Sequence, residues 1–212
     1  MPFTTATSPR IENELGANRP LAALLVVYGM IWAGLALTPY NRFDWCLENM
    51  LVIITIIWLA ITYSKRPFSD LSYFLLFVFL VLHGIGAHYT YSLVPFGFDF
   101  GDAIGETRNH YDRLIHFAFG LLILYPFREK ILRGSNIRGF WLGFLAFAII
   151  MTFSVCYEVI EWLVAEIVDP ENAQAYLGTQ GDVFDAEKDS ALAGLGSFIA
   201  LTLIFFLERK KT

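Results

Sequence analysis

Long apolar runs separated by short polar stretches make up the pattern of this chain. Six runs approach the length needed to cross a bilayer: residues 21–38, 47–63, 71–93, 111–127, 139–168 and 185–207. A hydrocarbon core of about 30 Å takes about 20 helical residues. No run alternates apolar and polar residues with a sustained period of two, so a transmembrane β-barrel is not expected. The pattern predicts an all-α integral membrane protein, a bundle of about six transmembrane helices forming one domain over residues 20–208. A five-helix alternative, with a re-entrant fourth run, stays open. Residues 1–19 are polar, contain Pro2, Pro9 and Gly16, and read as a cytoplasmic tail. Residues 209–212 form a short basic end. The first run follows Arg10 and Arg19 as a signal peptide would. It is long, however, and no small-x-small site follows it, so a retained span is expected.

Composition strengthens this reading. Hydrophobic residues make up 56% of the chain and charged residues 17%, and the mean hydropathy is +0.54. Soluble domains carry about 45–50% apolar and about 25% charged residues. The lipid bilayer is the expected surrounding. No domain-wide basic surface exists, so nucleic acid is not an expected partner. Cys46 and Cys156 form no metal or redox motif; a disulfide near the outer face and two buried thiols both fit.

The distribution of charge predicts orientation. With a cytoplasmic N-terminus, the inner segments carry 11 of the 15 Lys and Arg residues and the outer segments 4 (Arg42, Arg108, Arg113 and Lys188). Both termini are then expected in the cytoplasm of a bacterial inner-membrane protein. Asp44, Glu48, Asp99, Asp102, Glu106, Asp169, Glu171 and Asp182 collect on the outer side. The outer loops 94–110 and 169–184 are long and rich in Gly and acids, as functional loops often are.

On this topology four runs bring polar side chains to one depth near the outer face. They are His83 and His88 from the third, Asp112, Arg113 and His116 from the fourth, Glu158 and Glu161 from the fifth, and Asp182, Asp185 and Asp189 from the sixth. Asp112/His116 and Asp185/Asp189 are four residues apart and Glu158/Glu161 three, so each pair shares a helix face. His83 and His88 are five apart and face one site only if their helix is distorted, which Gly84 and Gly86 would permit. Ionisable groups in a helix centre cost about 2.5–3.5 kcal/mol on insertion scales, so they face the bundle interior and pair. Carboxylates with imidazole suit a divalent metal such as Zn, Mn or Fe. His83, His88, Asp112, His116, Glu158, Glu161, Asp185 and Asp189 are the candidate ligands. Asp112, His116, Glu158 and Arg113 are the candidate catalytic groups, with Arg113 suited to a phosphate or carboxylate.

Plainer readings fit the same residues. Arg113 and Lys188 suit ion pairs at helix mouths with Asp112 and Asp189. Asp182 and Asp185 suit solvated N-caps, and Glu161 suits the interface beside Trp162. Tyr40, Trp45, Tyr91, Tyr111, Tyr157 and Trp162 fit an outer aromatic belt; Tyr63, Tyr125 and Trp141 fit an inner one. Ala186, Ser190, Gly194 and Ser197 make a small-residue stripe for close helix packing.

The motifs HGIGAHYTY (83–91), NHYDRLIHFAFG (109–120), YEVIEW (157–162), GTQGDVFDAEKD (178–189) and NRFDWCLEN (41–49) resemble those of the YjdF-type bacterial inner-membrane proteins. The order Asp-x-x-x-His, Glu, then Asp before a small-residue helix is more distantly similar to VanZ-like membrane proteins. The resemblance implies a polytopic inner-membrane protein and carries no established reaction. Three functions stay open. The first is metal-dependent hydrolysis or group transfer on a lipid or envelope head group. The second is a small proton- or cation-coupled carrier or channel, and the third a structural assembly partner.

Overall fold

The computed structural model describes residues 18–168, 173 and 176–210. Residues 1–17 of the expected tail and the loop acids Asp169 and Glu171 lie outside the described residues. Helices α1 (Arg19–Leu37), α2 (Arg42–Tyr63) and α3 (Asp70–His88) come first. Each starts where a side chain takes up free amides: Asn18 accepts from Leu21 N–H, Asn41 from Phe43 and Asp44, and Ser69 from Ser72. Such caps satisfy donors that have no partner within the helix. The short helix α4 (Pro95–Ile104) follows. A continuous helical path then runs through α5 (Tyr111–Ala118), a π-helical segment (Phe119–Ile123) and α6 (Leu124–Gly134). The long helices α7 (Gly139–Ile167) and α8 (Asp185–Arg209) complete the order. The described residues contain no strand.

Five helices, α1, α2, α3, α7 and α8, are long and apolar enough to cross a membrane. The fourth expected span is the composite path from Tyr111 to Gly134, whose pieces are each too short to qualify alone. The chain is a polytopic helical membrane protein. Its outward faces carry residues such as Leu25, Ile54, Phe144 and Phe198, all exposed, where lipid replaces water.

Three boundaries differ from the sequence reading. Helix α2 begins at Arg42, not at 47, because Asn41 caps it; Asp44 is thereby drawn from the expected loop into the buried helix face that also carries Glu48. Helix α3 ends at His88, not at 93. The chain then reverses through Thr90 and Tyr91 at φ 51° and 52°, and Tyr91 N–H donates to Gly86 O at 2.8 Å. The Tyr91 ring lies flat on Gly86, where a Cβ would come within 2.5 Å of it. The expected loop 94–110 holds α4, which Pro95 starts and Gly105 at φ 77° stops.

Two backbone crossings set the bundle. Gly120 of the π segment meets the Ala193 carbonyl of α8, and Gly196 of α8 meets the Phe117 carbonyl of α5. Neither position has room for a Cβ. Small residues at a crossing let two helices approach to backbone contact, which is how membrane helices gain packing energy without a hydrophobic drive. Leu76, Ile123, Leu124, Ala146, Ile150, Ala193 and Ala200 fill the core around this crossing. At the end away from α4, buried Glu129 of α6 accepts from Ser69 N–H at 2.9 Å, Ser69 Oγ at 2.8 Å and Ser72 Oγ, and pairs with Arg133 at 2.5 Å. This lock ties α6 to the start of α3.

Candidate functional site

The end of the bundle that carries α4 holds a dense group of buried polar side chains, arranged as two adjoining nests under a rim. The first nest is centred on His116. Its Nε2 lies 3.3 Å from Glu158 Oε1 of α7 and 3.6 Å from Asp112 Oδ1 one helical turn back. Asp189 of α8 joins them: one donor atom each from Asp112, His116 and Asp189 lie within 4.8 Å of one another. Among the described residues the buried Glu158 Oε1 and Asp189 Oδ1 accept no hydrogen bond; the approach of His116 to Glu158 is close in distance but not aligned. Asp112, Asp185 and Asp189 all act on Glu158 through charge. Carboxyls crowded at one imidazole require a cation or bound protons to coexist.

The second nest joins α2, α3 and α7. Tyr157 Oη donates to the Glu48 carboxylate, 3.0 Å from each oxygen. His83 Nε2 donates to the Glu48 carbonyl at 3.2 Å and sits 4.0 Å from its carboxylate. In that tautomer Nδ1 accepts from Tyr91 Oη at 2.5 Å. The buried Glu161 lies against Tyr157. Asp44, one turn before Glu48, is 2% exposed, and neither of its carboxylate oxygens has a hydrogen-bond partner among the described residues.

The rim is ionic. Arg108 donates to Thr179 O and pairs with Asp185 at 2.5 Å. Arg113 pairs with Asp182 at 2.5 Å and approaches Asp185 at 3.9 Å; Lys188 also pairs with Asp182, at 2.6 Å. Held by these cations and by Phe184 N–H, the Asp182 carboxyl sits below its ordinary range, with the Lys188 bond the largest cause. Fully buried Asn109 straps the two loops together. Its Nδ2 donates to Val94 O at 2.8 Å, and its backbone exchanges bonds with the Gln180 amide at 2.8 and 3.0 Å.

The expected residues therefore divide. Asp112, His116, Glu158 and Asp189 come together as one group. Asp185 and Arg113 lie beside it but are engaged in the rim, and Asp182 is the common acid of that rim. His83 and Glu161 belong to the second nest. His88 lies apart from both, its Nδ1 bonded to Leu35 O at 2.8 Å, because α3 stays regular through Gly84 and Gly86 and turns the two histidines to different sides. The expected pairings of Arg113 with Asp112 and of Lys188 with Asp189 give way to Asp182. Tyr91 and Tyr111 are buried, not belt residues, and Tyr111 Oη donates to Leu82 O at 2.8 Å. Cys46 and Cys156 are unpaired and exposed, so neither a disulfide nor buried thiols describe them. The sequence reading missed Glu48, Asp44, Tyr91, Tyr157 and Arg108. The four-residue spacing of Asp44 and Glu48 was the available signal.

A cavity of about 340 Å³ opens beside both nests. Asp112, His116, His83, Tyr91 and Tyr157 edge it at one end. The rest is mostly apolar, with Leu51 and Ile54 from α2, Phe79 and Leu80 from α3, and Phe153 and Ile160 from α7, and it includes the hydroxyls of Thr55 and Ser154.

The fold and site define a class, a polytopic helical membrane protein with a buried His/carboxylate centre at one end. The family model described as "Predicted membrane protein (DUF2238)" matches residues 20–210, and the chain belongs to that family. The inner membrane protein YjdF of Escherichia coli (strain K12) is 35% identical over 189 residues, covering 89% of this chain and 88% of that protein. The YjdF-type resemblance thus stands; the VanZ-like one gains no support. No solved structure matches the chain.

Proposed function

We propose that this protein is an inner-membrane enzyme that hydrolyses or transfers the polar head group of an envelope lipid, with a divalent metal at Asp112, His116 and Asp189. The observation that supports this is the convergence of those three donors, from α5 and α8, beside acceptors that have no hydrogen bond. The set of one imidazole and two carboxylates suits Zn, Mn or Fe. Asp112, His116 and Asp189 would hold such an ion with one donor atom each. A metal there would supply Lewis acidity and a nucleophilic water at neutral pH. Glu158 Oε1, beside His116, would serve as the general base of the site. Asp185 holds Arg108 and approaches Arg113, and those guanidiniums are the nearest groups able to bind a phosphate if they exchange partners. By the distribution of basic residues the site faces the periplasm and both termini the cytoplasm. A proton or cation carrier would need the polar path to continue inward, where Leu76, Ile123, Leu124, Ala146 and Ile150 fill the core.

Elemental analysis by mass spectrometry on detergent-purified protein tests this, with wild type beside His116→Ala and Asp189→Asn. One transition metal per chain in the wild type, lost in both variants, is expected. A folded wild type that takes up no metal after repletion refutes the metal centre.

A further inference from the structure

The cavity beside the site is a lateral cleft, and its position says what enters it. Helix α2 packs against α3 and reaches α7 through the Tyr157–Glu48 bonds. The residues that line the cavity from the two helices are Leu51 and Ile54 on α2, beyond Glu48, and Phe153 and Ile160 on α7, one turn to either side of Tyr157; all four are apolar and exposed. The opening therefore faces the hydrocarbon layer, not water.

We propose that this cleft takes an acyl chain of a glycerolipid from the bilayer and presents the head group of that lipid to His116 and Asp112. The chemistry at the head group rests on the function proposed above; the binding of the chain does not. Three features select this occupant. A cavity of about 340 Å³ cannot admit a partner helix, whose diameter with side chains is about 10–12 Å, but a flexible chain enters it. The mostly apolar wall away from the two nests offers water few hydrogen-bond partners. The polarity is also graded. Asp112 lies at one end and Phe119 seven residues further along the helical path, a rise of about 10 Å, with His116 between them, so the head and upper tail of one lipid span the distance. Ser154 adds a specific contact. It lines the cavity one turn from Glu158, is 2% exposed, and its Oγ has no hydrogen-bond partner. A hydroxyl there can donate to the ester carbonyl that joins the acyl chain to the glycerol backbone. The substrate is then a membrane-resident ester lipid that arrives sideways, not a soluble head-group compound that arrives through the rim.

The test is photo-crosslinking of the full chain in vesicles of phosphatidylethanolamine and phosphatidylglycerol. The probe is phosphatidylglycerol carrying a diazirine in one acyl chain, and adducts are mapped by peptide mass spectrometry. Adducts on Thr55 and Ser154 inside the cleft are expected, and Thr55→Phe or Ser154→Phe should reduce cleft labelling several-fold. Labelling of Phe198 on the outer face of α8 should be unchanged in each variant, which certifies that the variant is folded and inserted. Adducts confined to outward residues, or cleft adducts indifferent to both plugs, overturn the proposal. His116→Ala should keep the cleft adducts. If it does while the wild type binds no metal, the cleft stands and the proposed chemistry falls. If the wild type binds metal but shows no cleft adduct, the reverse holds.

Discussion

Tyr157→Phe removes one oxygen atom and isolates a buried carboxylate. The Glu48 side chain is 3% exposed, and the Tyr157 hydroxyl, shared between its two oxygens at 3.0 Å each, is its one hydrogen-bond donor among the described residues. His83 stands 4.0 Å off, beyond hydrogen-bond range. One phenol carries one proton, so the two contacts count as a single charge-assisted bond. Such a bond contributes about 1.5–3 kcal/mol, against about 1 kcal/mol for a neutral pair. Tyr157→Phe is therefore expected to destabilise the protein by about 2 kcal/mol if Glu48 is ionised. Phe keeps the ring that packs edge-on to His116 at 5.9 Å between centroids, so little of the loss comes from packing. Reversible unfolding in mixed micelles measures it. The double variant with Glu48→Leu isolates the pair, because contacting residues show coupling of about 0.5–3 kcal/mol and independent ones add to within about 0.5 kcal/mol. Additive losses, or a single-variant loss below about 0.5 kcal/mol, would refute the account of Glu48 as a carboxylate held by Tyr157. A loss near 1 kcal/mol with clear coupling would show instead that Glu48 is held as a neutral acid.

Two further predictions address packing and pH. Gly196→Ala should destabilise by about 1–3 kcal/mol, the usual cost of overpacking, because its Cβ would meet the Phe117 backbone. Gly29→Ala in α1, where nothing lies within 4 Å, should be neutral or stabilise by up to about 1 kcal/mol; equal effects in the same unfolding assay would contradict the crossing geometry. The Asp182 hub has a depressed carboxyl, so its contribution is complete above the ordinary carboxylate pKa of about 3.9 and is lost as pH falls through its own lower value. Hydrogen exchange over residues 176–184 should accelerate below about pH 4 in the wild type. It should already be fast, and lack that step, in Asp182→Asn. A loop whose protection ignores both changes would show that the rim does not hold it.

Sequence by itself determined the class of the molecule and the partial membership of its site. Apolar runs of bilayer length leave a helical bundle as the only economical way to satisfy the backbone in lipid, so α1, α2, α3, α7 and α8 were legible from pattern alone. Local spacing likewise placed Asp112 with His116 and Asp185 with Asp189, because a helix makes neighbours of residues one turn apart. Tertiary structure decided which helix faces meet. Sequence spacing could not show that His88 turns to the Leu35 carbonyl while His83 joins Glu48. That depends on α3 staying regular and on the Tyr91 turn folding back over Gly86. Nor could it show that Glu48 turns under Tyr157, or that Asp44, outside the expected run, lies inside α2, because Asn41 caps the helix earlier than the apolar run begins. The grouping of Asp112 and His116 with Asp189 follows from the Gly120 and Gly196 crossings, which bring α8 to backbone contact with the composite fourth span. Periodicity along one chain fixes neighbours on one helix; contacts between helices are set by packing that no local pattern contains.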